Sequence, residues 1–235
     1  MHDKEASMRF LIASVVMTFA MQSFAFAQLD DKVSDRLWES AKVMDELVKG
    51  PDSSIPKELL KKAACVAVIP ALKKAAFGIG GQYGRGVVSC RKDEGKGAFG
   101  SPSMISIGGG SFGLQLGGQS VDVVMLFMTP KSMQSLLKDK VTLGGDMAAA
   151  AGPVGRNASA ETNIRLEAEI LTYAKSRGLF AGISLKGSSL RPDNEANQSL
   201  YGRKIEAKEL LIDGKVAIPT TAQKLIDALT KASAN

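Results

Sequence analysis

The chain has 235 residues, of which 45% are hydrophobic, and a formal net charge of +6 at neutral pH. This length and apolar content fit one globular domain, with or without a helical extension, and argue against general disorder. The chain has two cysteines and one histidine, His2, which argues against a typical zinc site and a histidine base in the mature protein.

The first 27 residues are predicted to be a secretory signal peptide. Lys4 and Arg9 precede an apolar run at 10–20, and Ala25-Phe26-Ala27 supplies a cleavage site of small residues. The run is shorter than the roughly 20 residues of a membrane span, although an uncleaved anchor is the alternative. The start at Met1 or Met8 stays open. We expect export to the periplasm of a Gram-negative bacterium, with association to a membrane surface.

The segment 28–62 is predicted to be helical and to precede a domain at 63–235. Apolar residues recur at helical spacing over 29–49, and the Gly50-Pro51 pair ends this helix. A shorter helix is expected from about Pro56 to 62, followed by a buried strand at 65–70.

The middle of the chain is predicted to form glycine-rich strands. Glycines alternate with larger residues over 77–91, so one face of this strand is either sharply coiled or closely approached by other backbone. Further strands are expected at 98–107 and 111–116, with a turn at 108–110 between them. Residues 121–128 are apolar on both faces and predict a central strand with Asp122 near its start.

Helical and strand-like patterns of apolar residues alternate in the C-terminal part of the chain. Thr129-Pro130 predicts a capped helix, 164–170 a half-buried strand, and 176–178 the turn of a hairpin. A helical stripe spans 222–229. The predicted fold class is α+β, with a strongly coiled, glycine-rich, mainly antiparallel or barrel-like sheet and N- and C-terminal helices packed on it.

Two short motifs suggest enzymes, but their contexts do not fit. Residues 109–113 match G-x-S-x-G around Ser111, yet a strand pattern rather than a helix follows and the mature chain has no histidine. Residues 78–84 resemble a dinucleotide loop, but Tyr83 stands where the third glycine belongs. We therefore predict a protein without catalytic activity, cofactor or metal.

The basic residues are concentrated between 57 and 96. This stretch contains nine basic residues and only three acidic ones. The resulting excess of six positive charges equals the net charge of the whole chain. If they converge, they attract an anionic membrane by about 1 kcal/mol per residue; scattered solvated side chains are the alternative. Nucleic acid is not expected, because aromatic residues are few. The candidate lipid-binding residues are Lys57, Lys61, Lys62, Lys73, Lys74, Arg85, Arg91, Lys92 and Lys96.

The two cysteines, Cys65 and Cys90, leave two interpretations open. They could pair in an oxidising compartment, or they could remain two buried thiols.

From about residue 63 to 202, the chain resembles the SYLF-domain family. The residues that carry the resemblance are Val68-Ile69-Pro70, 74–86, Phe127-Met128-Thr129, 143–146, 151–155, 173–182, Asn197 and Tyr201-Gly202. The resemblance implies lipid binding without a catalytic residue set. Eukaryotic members bind phosphoinositides and carry an amphipathic membrane-binding segment before the domain, and some fungal members bind actin. For this chain the expected partner is an anionic phospholipid or membrane surface. The alternative is an envelope protein–protein interaction or scaffold module.

Overall fold

The computed structural model describes residues 30–47, 55–77, 79–112, 117–154, 168–176 and 179–234. The predicted signal peptide, the Gly50-Pro51 pair and most of the strand predicted at 164–170 lie outside the described residues.

A curled sheet of nine strands forms a half-barrel, and it confirms the predicted α+β class. The strands are β1 Cys65–Phe77, β2 Ile79–Cys90, β3 Ser103–Phe112, β4 Gly117–Phe127, β5 Val141–Thr142, β6 Ala149–Ala151, β7 Ile170–Ser176, β8 Leu179–Gly182 and β9 Ser189–Pro192. Their order in the sheet is β5-β9-β3-β2-β1-β4-β7-β6, and β8 also pairs with β7. Among these pairs only β6 and β7 run parallel.

The helices cover both faces of the sheet. They are α1 at 30–47, α2 Lys57–Lys62, α3 Pro130–Ser135, α4 Asn194–Tyr201, α5 Ala207–Leu211 and α6 Gln223–Ala232. On one face, called here the helix face, Val66, Val68 and Val124 pack with α1, α2 and α6, whereas α3 and α5 pack on the opposite face. A four-residue turn, Lys92–Gly95, and a 3-10 turn, Thr220–Ala222, lie in the connections.

Several local predictions are confirmed. Helix α3 begins with Pro130 after Thr129, whose hydroxyl oxygen accepts a hydrogen bond from the Ser132 N–H at 3.1 Å. Strand β4 lies between β1 and β7, as expected for a strand that is apolar on both faces. Within the described residues, no helix combines the length and the apolar character that crossing a membrane requires.

The turn predicted at 108–110 is wrong. These three glycines lie inside β3, opposite residues 81–83 of β2. A Cβ at Gly109 would lie 2.7 Å from the Ser188 Cα, so the backbone leading into β9 approaches the strand too closely for a side chain. Gly109 therefore reflects close packing of backbone rather than a change of chain direction, whereas Gly108 and Gly110 have room for a Cβ.

Two other strand predictions need correction. Residues 98–102 precede β3 rather than belonging to it, and Asp122 lies in the middle of β4 instead of near its start. The Asp122 carboxylate accepts a hydrogen bond from the Ala71 N–H at 3.0 Å, across a bulge that shifts the register of β1 between Ile69 and Leu72.

The structure joins Cys65 and Cys90 in a disulfide. The two residues are directly opposite each other at the ends of β1 and β2, and both are buried.

Candidate functional site

Helix α1 leaves part of the helix face of the sheet uncovered, toward the Phe77 end of β1. Directly opposite residues of neighbouring strands share a face, so the register of β1–β4 and β9 identifies the residues of this surface. We call it the platform. It consists of Lys73, Ala75, Gly81, Tyr83, Arg85, Gly108, Gly110, Gly118, Ser120 and Arg191.

A row of side chains crosses the platform from strand to strand. Lys73 lies opposite both Ser120 and Tyr83, and Tyr83 is 52% exposed. Arg85 follows Tyr83 on the same face, and Arg191 lies two strands away, beyond Ser106. Two cations, Lys73 and Arg85, thus neighbour one exposed aromatic ring, and Arg191 lies farther along the platform.

The glycines keep this surface flat. A Cβ at Gly81 would lie 4.0 Å from the Gly109 carbonyl oxygen, and one at Gly110 would lie 3.9 Å from the Gly80 carbonyl oxygen. Sterically, both positions could therefore carry a side chain. The Tyr83 ring lies near Gly108, with its Cδ2 3.6 Å from where a Cβ would be. The backbone of β2 and β3 is therefore open to a ligand that spreads over the sheet.

A chain of polar contacts connects α1 to the platform. The Arg36 Nη1 lies 3.0 Å from the Asp193 Oδ2, and the Arg85 Nε lies 3.9 Å from the same oxygen. The Arg85 Nε also donates a hydrogen bond to the Tyr83 hydroxyl at 2.8 Å. This hydrogen bond is the main reason why the pKa of Arg85 is raised, and the nearby carboxylate of Asp193 raises that pKa further. Arg85 is accordingly fixed as a cation beside the aromatic ring.

Helix α1 uses its own apolar stripe in the core. Val33, Leu37 and Met44 are fully or almost fully buried against the sheet and α6. In this packing the stripe is not available to enter a bilayer.

The structure divides the nine candidate basic residues into two groups. Lys73, Lys74 and Arg85 lie at the platform end of the β1–β2 hairpin, whereas the others lie at its disulfide end or on α2. Lys73 is eight residues beyond Cys65 in β1, and Arg85 is six residues before Arg91, so the two groups are separated by roughly 20 to 25 Å along the strands. The second group, called the disulfide-end group, is Lys57, Lys61, Lys62, Arg91, Lys92 and Lys96.

The disulfide-end group is partly neutralised. All three acids of the 57–96 stretch belong to this end, and the Lys61 Nζ lies 3.3 Å from a carboxylate oxygen of Glu58. Arg91 donates hydrogen bonds to the carbonyls of Ala63 and Gly97, and burial lowers its pKa.

Lys74 is separated from Lys73 by the sheet itself. It lies on the opposite face, next to its cross-strand partner Gln82, and it is half-buried. Burial lowers the pKa of Lys74, so its contribution to surface charge is smaller than that of exposed Lys73.

Sequence reasoning missed Arg191. Its place on the platform depends on the pairing of β9 with β3, which joins residues far apart in the chain. The alternation of Ser189, Leu190 and Arg191 was the available signal, because it is typical of a half-buried strand.

The SYLF-like residues Asn197 and Tyr201 have structural roles. The Asn197 side-chain oxygen accepts a hydrogen bond from the Met104 N–H at 2.7 Å, and the Tyr201 hydroxyl donates one to the Pro102 carbonyl at 2.6 Å. Burial raises the pKa of Tyr201. Both residues attach α4 to the beginning of β3.

The catalytic motifs have no supporting geometry in the described part of the chain. Ser111 belongs to β3, not to a turn between a strand and a helix. Among the described residues, no three His, Cys, Asp or Glu side chains come together in a group that could hold a metal ion.

Residues 108–232 match the family model described as "Ysc84: Las17-binding protein actin regulator". That description names a binding and regulatory protein rather than an enzyme. The chain is similar to SH3 domain-containing YSC84-like protein 1 of Bos taurus, with 36% identity over 197 residues, which covers 81% of this chain and 57% of the relative. The corresponding protein of Xenopus laevis is 37% identical, with 81% and 58% covered.

A fungal relative gives a similar result. Protein YSC84 of Saccharomyces cerevisiae is 33% identical over 205 residues, which covers 84% of this chain and 43% of the relative. The chain therefore spans little more than half the length of the vertebrate relatives and less than half of the yeast one.

Proposed function

The chain belongs to the Ysc84 (SYLF) family, and from this membership and the platform we propose that it is a non-enzymatic module that binds anionic phospholipid headgroups. The observation that carries the proposal is the row of Lys73, Tyr83 and Arg85 on an open, flat part of the sheet, with Arg191 nearby. Each cation near an anionic bilayer contributes about 1 kcal/mol. A tyrosine ring is suited to the boundary between headgroups and water.

The attachment we propose is to the membrane surface. Because Leu37 and Met44 of α1 are buried in the core, the helix does not insert its apolar stripe, in contrast to the segment that the family resemblance implies for eukaryotic members. Electrostatic attraction and contact of the Tyr83 ring with headgroups replace that insertion.

Location is part of the proposal. We propose that residues 1–27 direct export and that the protein meets the membrane from the periplasm. Mass spectrometry of the protein purified from its source would then give an N-terminus at Gln28. A protein that keeps residues 1–27 would contradict this part.

Co-sedimentation with vesicles tests the lipid proposal. The mature protein should pellet with vesicles of phosphatidylglycerol and phosphatidylcholine, and less with phosphatidylcholine alone. Removing two platform cations, in Lys73→Ala/Arg191→Ala, should weaken the partition about 30-fold, since each contributes about 1 kcal/mol.

The matched control removes two cations of the disulfide-end group, in Lys57→Ala/Lys96→Ala. These side chains lie several Debye lengths from the platform at physiological salt, so this variant should bind nearly as well as the wild type. Equal losses in the two double variants would contradict binding through the platform, and equal pelleting with both vesicle types would contradict anionic lipid as the ligand.

A second candidate is a protein-interaction module, because the family description names Las17 binding and actin regulation. The platform would then contact an acidic protein surface. Co-pelleting with filamentous actin in lipid-free buffer, lost in Lys73→Ala/Arg191→Ala, together with no vesicle binding, would replace the lipid proposal.

A further inference from the structure

An open cleft of about 540 Å³ lies between α1 and α6, apart from the platform. Ala41 and Ala228 form its apolar part, and Trp38 lines it with an indole that is 51% exposed. A tryptophan is usually highly buried, and this one is the single tryptophan of the chain.

The two helices contribute matching faces to the cleft. Trp38, Ala41, Lys42 and Asp45 of α1 follow the spacing i, i+3, i+4 and i+7, and residues 224, 227, 228 and 231 of α6 follow the same spacing. Helix α6 thus places Ala228 between charged residues, and α1 places Ala41 between Trp38 and charged residues.

Both signs of charge are present in the cleft. The described lining residues include the cations Lys42, Lys224 and Lys231 and the carboxylates Asp45, Glu46 and Asp227.

Three of these charges already have a partner, and one of them is Asp227, whose Oδ1 accepts a hydrogen bond from the Gln223 Nε2 at 2.9 Å. Glu46 pairs with Lys175 of β7, and the Lys42 Nζ lies 5.4 Å from the centre of the Trp38 ring. The ring therefore already attracts an ammonium group. Asp45 and Asp227 are the carboxylates, and Lys224 and Lys231 the cations, that could contact a ligand.

We propose that this cleft binds a zwitterionic headgroup in which a phosphate and an ammonium are joined by two carbons, as in phosphoethanolamine. The ammonium contacts the carboxylates of Asp45 and Asp227 beside the Trp38–Lys42 pair, while the phosphate contacts Lys224 and Lys231. A ligand with one sign of charge would satisfy only one of these sets. The proposal is independent of the platform.

Trp38 reports on this binding directly. Its fluorescence is measured while the protein is titrated with glycerophosphoethanolamine, ethanolamine or inorganic phosphate. A saturable change is expected with glycerophosphoethanolamine at a concentration at least about tenfold lower than with either single-charge probe, because charge-assisted contacts are made at both ends. Vesicles of phosphatidylethanolamine, compared with the soluble probe, distinguish a bilayer from a free molecule as the source.

Variants of the cleft make the test specific. Asp227→Asn and Lys231→Met should each weaken the glycerophosphoethanolamine response about tenfold, whereas the exposed-site controls Asp213→Asn and Lys208→Met should leave it unchanged. Thermal unfolding of each variant verifies that it folds, and Lys73→Ala/Arg191→Ala should respond like the wild type, which separates this site from the platform. Unchanged fluorescence with all three probes would overturn the proposal, as would an equal response to phosphate alone or an Asp227→Asn variant that binds normally.

Discussion

At the residue scale, Ala71 has an unusual backbone for a side chain with a Cβ. Its φ is 54°, a left-handed conformation that costs an L-residue about 1–2 kcal/mol. The Asp122 carboxylate accepts its N–H and so stabilises the bulge of β1. Beyond the bulge Leu72 is buried and Lys73 is exposed, so Asp122 supports the surface that carries Lys73.

Replacing Asp122 tests this support. Asp122→Ala removes the acceptor of the Ala71 N–H and should lower the free energy of unfolding by about 1 kcal/mol, measured by urea denaturation. Asp122→Asn keeps a side-chain oxygen and should cost less. Equal losses in the two variants would show that the hydrogen bond is not the cause.

Two glycines of β2 should respond in opposite ways to alanine. A Cβ at Gly86 would overlap the Val68 carbonyl oxygen and lie 2.7 Å from the Ile69 Cγ1, whereas one at Gly81 lies in open space. Gly86→Ala should therefore lower the free energy of unfolding by about 2 kcal/mol or more, and Gly81→Ala should leave it unchanged or raise it slightly. Chemical denaturation compares the two, and a Gly81→Ala variant as unstable as Gly86→Ala would contradict the described packing.

At the element scale, local signals predicted the elements whose causes are local. The Thr129-Pro130 cap and the stripe of α1 depend on residues within a few positions of each other, and both elements are confirmed. The glycines at 108–110 were misinterpreted because turns and tightly packed strands both use glycine. Their role depends on β2 and on Ser188, which no local pattern reveals.

The candidate site was predictable in part for the same reason. The excess of basic residues between 57 and 96 identifies Lys73 and Arg85 as candidates, but it does not show that Lys74 lies on the other face of the sheet. The position of Arg191 depends on the pairing of β3 with β9. The exposure of the surface around Tyr83 depends on which part of the sheet α1 leaves uncovered.

The β1–β2 hairpin is the element that the disulfide constrains. Cys65 and Cys90 are 25 residues apart, and closing a loop of that length stabilises a fold by about 3 kcal/mol in the chain-entropy model. Cys65→Ala/Cys90→Ala should lose stability of that order in urea denaturation without reductant. Reductant should not destabilise this double variant further, and a variant as stable as the oxidised wild type would contradict a stabilising role.

At the scale of the whole molecule, the positive charge is divided between two ends of one hairpin. The disulfide-end group lies among Glu58, Asp93 and Glu94, whereas Lys73 and Arg191 are exposed on the platform. We therefore expect the molecule to approach an anionic bilayer with the platform foremost, although its net charge is spread more widely.

Ionic strength should weaken this approach. The Debye length falls from about 10 Å at 0.1 M to about 3 Å at 1 M salt, so the fraction that pellets with anionic vesicles should decrease over this range. Contact of the Tyr83 ring with headgroups is not screened, and Tyr83→Ala should therefore lose the binding that remains at high salt. Binding that does not change with salt would contradict electrostatic attachment.

The most direct measurement places a single tryptophan reporter on the platform. In a Trp38→Phe background, Ser120→Trp introduces an indole opposite Lys73, and Lys96→Trp introduces one in the disulfide-end group as a control. With vesicles that contain phosphatidylglycerol, the emission of the Ser120→Trp reporter should shift to shorter wavelength while that of the Lys96→Trp reporter stays constant. A protein that pellets with these vesicles while only the Lys96→Trp reporter shifts would show that the membrane contacts the other end of the molecule.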